Sequence, residues 1–173
     1  FNYAVDGFFQ INLPVYEQAL TDMKKWIDKD KPTVDLYSGV GTIGLTIGSE
    51  KLTLIESSEA AVTEMKRNIT LLGRDGNTEA ILSPSEKVLD YITKESIIIV
   101  DPPRVGLHED VINKLLDEIP ERIIYLSCNP VTQARDVARL AEKYGIRYHR
   151  GYNFFPRTPH IEHLVVLDLK NDA

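Results

Sequence analysis

From Thr33 onward the chain alternates short apolar runs with longer segments of mixed charge, and no other feature restricts its fold as much. The run Ile97–Val100 is continuously β-branched and stops at Asp101 before two prolines, which reads as a strand buried on both faces. Residues 33–37, 51–55 (running up to Glu56), 123–126 and, more modestly, 78–82 read as further strands. Between them, a short segment from Thr42 and residues 59–72, 85–91, 110–118 and 131–144 read as helices, with Gly73 as a stop signal for the second. Strands near 147–152 and 163–169 close the series. Repeated strand–helix–strand units predict an α/β domain: a doubly wound, mostly parallel sheet with an antiparallel edge. Before Thr33, apolar positions Val15, Leu20, Met23, Trp26 and Ile27 recur at helical spacing and predict an entry helix over 13–29. The expected division is therefore a connecting segment and entry helix at 1–30, then a main domain at 31–173.

Composition removes several classes. The 173 residues suffice for one hydrophobic core that buries roughly 70% of the unfolded surface without disulfides. Apolar blocks broken by charges argue against a disordered or collagen-like chain. No segment approaches the roughly 18 apolar residues of a membrane span, and the opening FNYAVDGFFQ lacks the basic start and apolar core of an export signal. The lack of an initiating Met suggests a fragment of a longer protein. One cysteine, Cys128, fits a reducing compartment such as the cytoplasm. Four His and one Cys without CxxC or HExxH spacing support no metal site. The net charge of −6 weakens nonspecific attraction to phosphate backbones but leaves room for a local basic rim.

The motifs sit where a doubly wound sheet places its ligands. DLYSGVGTIG, residues 35–44, sets three glycines between a strand and a helix, so the backbone at Gly39 and Gly41 can approach a ligand while Gly44 allows close packing behind the turn. Glu56, 17 positions beyond Gly39, ends the second strand and can accept hydrogen bonds from a ribose diol. Asp35 and Asp101 at the same pocket would repel a pyrophosphate and tolerate a sulfonium, which favours a methyl donor over a dinucleotide. In DPPR, the prolines preorganise Asp101 to orient a nucleobase, while Arg104 positions the loop or contacts phosphate. Cys128 follows a strand and precedes a helix whose dipole can favour a thiolate, the position of a nucleophile. Glu162 can act as a base toward carbon if burial raises its pKa, with His160 ordering that region and His163 a strand residue.

Taken together, FFQIN around Gln10, DLYSGVGTIGL, Glu56, DPPRVGL at 101–107, YLSCNPVTQARD at 125–136 and FPRTPHIEHL at 155–164 resemble the catalytic domain of the S-adenosylmethionine-dependent RNA uracil-5 methyltransferases. The resemblance spans almost the whole chain and implies the Rossmann-like class I methyltransferase fold. It implies that Cys128 attacks uracil C6, that C5 takes the methyl group, and that Glu162 removes the C5 proton, giving 5-methyluridine and S-adenosylhomocysteine. It places Asp101 on the uracil edge. Gln10, Asp35, Tyr37, Gly39, Gly41, Glu56 and Asp101 become cofactor-binding residues, and Arg104, Asn129 and His160 organise the site or contact substrate. The partner implied is structured RNA, transfer or ribosomal, whose target base is flipped out or made accessible. This chain departs from the family pattern at Ser83-Pro84-Ser85-Glu86, where an acidic residue commonly precedes an Ala-Glu pair, on the adenine side. It also lacks the N-terminal RNA-binding region, often OB-like, and the cysteine-rich cluster domain that some members carry, which implies reduced RNA affinity. Two other readings compete: a noncatalytic RNA-binding or assembly domain of the same architecture, and a nicotinamide-dependent oxidoreductase. Intact Cys128 and Glu162 count against the first, and the Cys/Asp/Glu set has no comparable role in the second.

Overall fold

The structure, a computed structural model, describes residues 1–3 and 12–170. Seven strands form one sheet in the order β3-β2-β1-β4-β5-β7-β6. The strands are β1 (Thr33–Leu36), β2 (Leu52–Glu56), β3 (Thr78–Leu82), β4 (Ile97–Val100), β5 (Arg122–Ser127), β6 (Tyr144–Tyr152) and β7 (Glu162–Leu169). The helices are α1 (Leu13–Lys24), α2 (Thr42–Ile47), α3 (Glu59–Leu71), α4 (Glu109–Glu118) and α5 (Pro130–Leu140). Strands β1 to β5 pair in parallel, and β7 runs antiparallel to both β5 and β6. The expected parallel sheet with an antiparallel edge is the one observed.

Period-2 alternation with cover on both faces explains why β4 is apolar throughout. Ile98 and Val100 face one layer with Val111, Ile112 and Leu115 of α4, whereas Ile97 and Ile99 face the other with Tyr16, Ala19 and Met23 of α1. All four β4 residues are fully buried, and each such side chain contributes about 1.5–3 kcal/mol by leaving water. The helix α1 is thus packed directly on the sheet. A third cluster joins α3 to β2 through Val62, Met65, Ile69, Leu52 and Leu54.

Three boundaries differ from expectation. The entry helix ends at Lys24 rather than near residue 29: Trp26 and Ile27 turn with tighter bonds to Met23 and Lys24, and Trp26 packs instead on Tyr148 and under Arg122. The segment 85–91 is two 3₁₀ turns, Ser85–Lys87 and Leu89–Tyr91, because Val88 between them adopts φ −131° and breaks the helical path. Helix α5 stops at Leu140, and Tyr144 opens β6, its buried hydroxyl donating to the carbonyls of Leu115 and Pro120. Helical periodicity continues through Tyr144, but this anchor turns the chain back into the sheet three residues before the expected strand.

Strand order reverses between β1 and β4, both neighbours at the centre of the sheet. In an open α/β sheet the crevice above such a reversal, at the carboxyl ends of the strands, is where a ligand is received. Tyr37, Glu56, Asp101 and Cys128 all lie at or just beyond strand carboxyl ends on that rim.

Candidate active site

A cavity of about 700 Å³ opens at this rim, large enough for a nucleoside-bearing ligand. Its wall includes Tyr37, Glu56, Asp101, Arg104, Cys128 and Glu162, so six of the residues singled out from sequence meet in one space. Their positions in the chain span 37 to 162; parallel strands bring them together because each strand delivers its following loop to the same edge of the sheet.

Glu56 is held at one end. Its Oε2 accepts from the Gly39 amide at 3.0 Å and its Oε1 from the Ser58 amide at 2.8 Å and the Ser57 hydroxyl at 3.2 Å. The glycine turn and the acid are therefore one unit, with the carboxylate oriented before any ligand arrives. Gly41 caps α2, and a Cβ there would press on Leu45, Leu54 and Met65, so it packs against the core rather than along the cavity. At Gly44 a Cβ would come within 2.5 Å of Leu54 Cδ2 and 2.8 Å of Asp35 Oδ2, which is why the helix can sit this close to β1.

Asp35 lies beneath the turn, fully buried, rather than on the cavity wall. Its Oδ2 accepts from the Gly44 amide at 2.9 Å, and Oδ1 has no hydrogen-bond partner among the described residues. Burial pushes its carboxyl up to about 7, against the Gly44 amide and with help from the Glu56 charge. Tyr37 holds φ +61° and its phenol oxygen accepts from the His108 amide at 3.4 Å, which ties the first loop to the loop after β4.

The reactive end carries the remaining groups. Burial lifts the Asp101 carboxyl well above the usual range, reinforced by the Glu162 and Asp35 carboxylates. Glu162 opens β7, almost completely buried, and burial raises it to about 7 while Arg104 pulls the other way. That value suits a group asked to accept a proton near neutrality. The half-buried Cys128 thiol is pushed up by burial, then by Glu162 and Asp101, and lowered by Arg104. Burial is the largest influence on this thiol, followed by the neighbouring acids and then Arg104. Among the described residues lining the cavity, four are carboxylates (Glu56, Glu86, Asp101, Glu162) and Arg104 is the sole basic side chain.

Asn129 caps α5, its Oδ1 accepting from the Val131 amide at 3.2 Å while its Nδ2 donates to the Arg104 carbonyl at 2.9 Å. His160 is exposed, off the cavity wall, with its amide donating to the Thr158 hydroxyl. His163 is a β7 residue whose Nδ1 pairs with Gln133 Oε1 at 2.7 Å. Gln10 lies outside the described residues.

Several residues on or behind the wall are not apparent from motif reading. Pro84, Ser85 and Glu86 line the cavity, so the stretch that departs from the family pattern faces the ligand. Phe155 joins them from the loop before β7. Tyr16 of α1 is buried edge-on against Phe154, and its phenol is held up by burial and by the Asp101, Asp35 and Glu162 charges. Asn68 of α3, fully buried, donates to the Val40 carbonyl inside the glycine turn at 3.0 Å and exchanges two bonds with Asn2. A lone polar residue on the apolar face of a helix is the only sequence signal for Asn68.

The donor set fits S-adenosylmethionine. Glu56 offers a fixed acceptor for a ribose diol, and the acid-rich wall suits a cationic sulfonium and ammonium. A pyrophosphate would meet four carboxylates and one guanidinium, which does not suit a dinucleotide.

A family model described as tRNA (Uracil-5-)-methyltransferase matches residues 1–170. A protein named Uncharacterized RNA methyltransferase in Listeria monocytogenes is 35% identical over 179 residues, covering 99% of this chain and 39% of its own length. One of the same name in Nitratidesulfovibrio vulgaris is 33% identical, with 98% and 38% covered. The chain thus spans under half the length of these relatives. Among solved structures, the Pyrococcus abyssi tRNA (uracil-54, C5)-methyltransferase in complex with S-adenosyl-L-homocysteine superposes with a TM-score of 0.85 at 33% identity, over 94% of this chain and 40% of that one. The M. jannaschii tRNA m1G37 methyltransferase reaches 0.72 at 18% identity, over 95% and 52%, a likeness of fold alone. The sheet and its helices are the Rossmann-like class I methyltransferase fold.

Proposed function

Because the chain belongs to the tRNA (uracil-5-)-methyltransferase family, we propose that it transfers a methyl group from S-adenosylmethionine to C5 of a uridine in structured RNA. The observation that carries this reading is one cavity walled by a thiol, two carboxyls of raised pKa and a guanidinium, with an oriented carboxylate at its far end.

Each residue has a task set by its place. Glu56 accepts from the ribose hydroxyls and holds the cofactor end. The Asp101 carboxyl, its pKa raised by burial, hydrogen-bonds the uracil edge and stabilises charge that develops there. The Cys128 sulfur, as thiolate beside Arg104, bonds to C6, and the electron pair of the C5–C6 double bond moves onto C5 and the adjoining carbonyl. S-adenosylmethionine, when bound, supplies an electrophilic methyl group for C5. Glu162 then takes the C5 proton, and the returning electron pair re-forms the double bond and expels the Cys128 thiolate. The acids around the pocket leave phosphate contact to the rim, where Arg104 is exposed. A reduced Cys128 and an RNA substrate are consistent with a cytoplasmic location. Among the described residues, no helix is long and apolar enough to cross a membrane.

Incubation with S-adenosylmethionine and 5-fluorouridine-containing transfer or ribosomal RNA tests the proposal by intact mass. Fluorine at C5 cannot leave as a proton, so the methylated RNA stays bonded to the protein. A covalent adduct is expected with the native chain and none with Cys128→Ala. No adduct while both ligands bind would favour a noncatalytic RNA-binding domain.

A further inference from the structure

Arg104 sits in a stretch, 101–107, that is neither helix nor strand, and its side chain is exposed. Yet it is the group that opposes the acids around Cys128. A long exposed arginine on an unstructured loop has roughly 2 kcal/mol of rotamer entropy and a mobile base, and its effect on a neighbouring thiol depends on what fixes that base. Helix α5, which begins two residues after Cys128, supplies the fixation. The Arg104 carbonyl accepts from Asn129 Nδ2 at 2.9 Å and from the Thr132 hydroxyl at 3.0 Å. The Val105 carbonyl accepts from Arg135 Nη2 at 2.9 Å, and the Leu107 amide donates to Asp136 Oδ2 at 2.8 Å.

Asp136 is fully buried and all of its acceptor capacity is engaged. The Tyr125 hydroxyl donates to Oδ2 at 2.8 Å, and Arg135 donates to Oδ1 through Nε at 2.9 Å and Nη2 at 2.7 Å. The loop is shaped to meet this pair. Gly106 lies at φ +85°, and a Cβ there would stand 2.5 Å from Asp136 Oδ2 and 2.6 Å from Arg135 Nη2. The helix that follows the nucleophile therefore grips the loop that carries its cation at three points, Arg104, Val105 and Leu107.

We propose that Thr132, Arg135 and Asp136 are positioning residues that hold Arg104 beside Cys128. The inference rests on the reading of Cys128 as the nucleophile. The groups facing the thiol are Glu162 from β7 and Asp101 and Arg104 from the loop after β4; the first two disfavour the thiolate and Arg104 favours it. Loosening the grip on Arg104 thus weakens what opposes the acids and reduces the thiolate fraction.

Cys128 is the chain's one cysteine, so its alkylation by iodoacetamide reports the thiolate without RNA or methyl transfer. Rates are measured from pH 6 to 10 for the native chain, Thr132→Val, Thr132→Ser and Asp136→Asn, each alone and with Arg104→Ala. A rise of one pKa unit lowers the thiolate fraction tenfold below the pKa, so alkylation near pH 7 should fall about threefold in Thr132→Val and about tenfold in Asp136→Asn. Thr132→Ser, which keeps the hydroxyl, should retain the native rate. With Arg104→Ala present, neither substitution should lower the rate further, because the group they act through is gone. The proposal is overturned if the substitutions lower the melting temperature but leave the alkylation profile native, or if they slow alkylation equally in the Arg104→Ala background. Should Asp136→Asn not fold, the Thr132 pair decides alone. Failure to form the fluorouridine adduct would count against the methyltransferase reading and would leave these alkylation results standing.

Discussion

Replacing Glu162 with Gln should make the ligand-free protein more stable at pH 8 and leave it unchanged at pH 4. In the fold, burial lifts this carboxyl from the ordinary 4.5 to about 7, with Arg104 only partly offsetting it. A carboxyl with a raised pKa favours folding while protonated. Its contribution is complete below the unfolded value, near 4.5, and is lost as pH rises through about 7. The gap corresponds to about 3 kcal/mol at about 1.4 kcal/mol per pKa unit, an upper figure because a charged site draws in water and relaxes. Gln keeps the shape and removes the ionisation, so at pH 8 the variant should gain about 1–3 kcal/mol, or about 2–10 °C in melting temperature for a chain of this size. Unfolding curves of both proteins at pH 4, 6, 7 and 8 give the difference directly. A variant equal to or less stable than the native chain at pH 8 would refute the reasoning, since it would mean that the ionised carboxylate is well solvated or paired. The same substitution should abolish turnover while leaving the Cys128 adduct trapped on ordinary uridine, which separates the base from the nucleophile.

Glu56→Gln should raise the dissociation constant for S-adenosylmethionine about tenfold by titration calorimetry, the loss of about 1.4 kcal/mol of charge-assisted hydrogen bonding; an unchanged constant would remove Glu56 from the cofactor site. Gly44→Ala should destabilise the chain by about 1–3 kcal/mol in urea, because the new methyl meets Leu54 and Asp35, and a native midpoint would show that α2 can move away from β1 at no cost. Asn68→Ala should cost about 1–3 kcal/mol by leaving the Val40 carbonyl unpaired, and should weaken cofactor binding because that carbonyl belongs to the glycine turn. Normal affinity in this variant would mean that the turn keeps its shape unaided.

Local chemistry explains what was legible in the chain. Continuous apolar runs such as Ile97–Val100 announce strands covered on both faces, and a glycine-rich turn after the first of them announces a ligand crevice. Cys128, Asp101 and Glu162 were recognisable because each follows or opens a strand, so topology had already placed them on one rim. The 85–91 segment was misleading because its composition is compatible with a helix, while Val88 takes φ −131° and ψ 44°, off the helical path, which composition does not encode. Residues 141–144 were misleading for a related reason: Tyr144 is drawn into β6 by carbonyls of Leu115 and Pro120, more than 20 positions upstream.

The amino-acid sequence by itself determined the strand–helix alternation and the antiparallel edge of the sheet, and it singled out the candidate reacting groups, since these depend on periodicity, turn chemistry and residue type. Only the tertiary structure decided how those groups behave. That Asp35 lies under the glycine turn, that Tyr16 faces the acids, and that α5 grips the loop around Arg104 are consequences of which layer covers which, and so is the balance of charge at Cys128. Electrostatic and hydrogen-bond energies depend on distance and on exclusion of water, and neither exists for residues far apart in the chain until the sheet has brought them together.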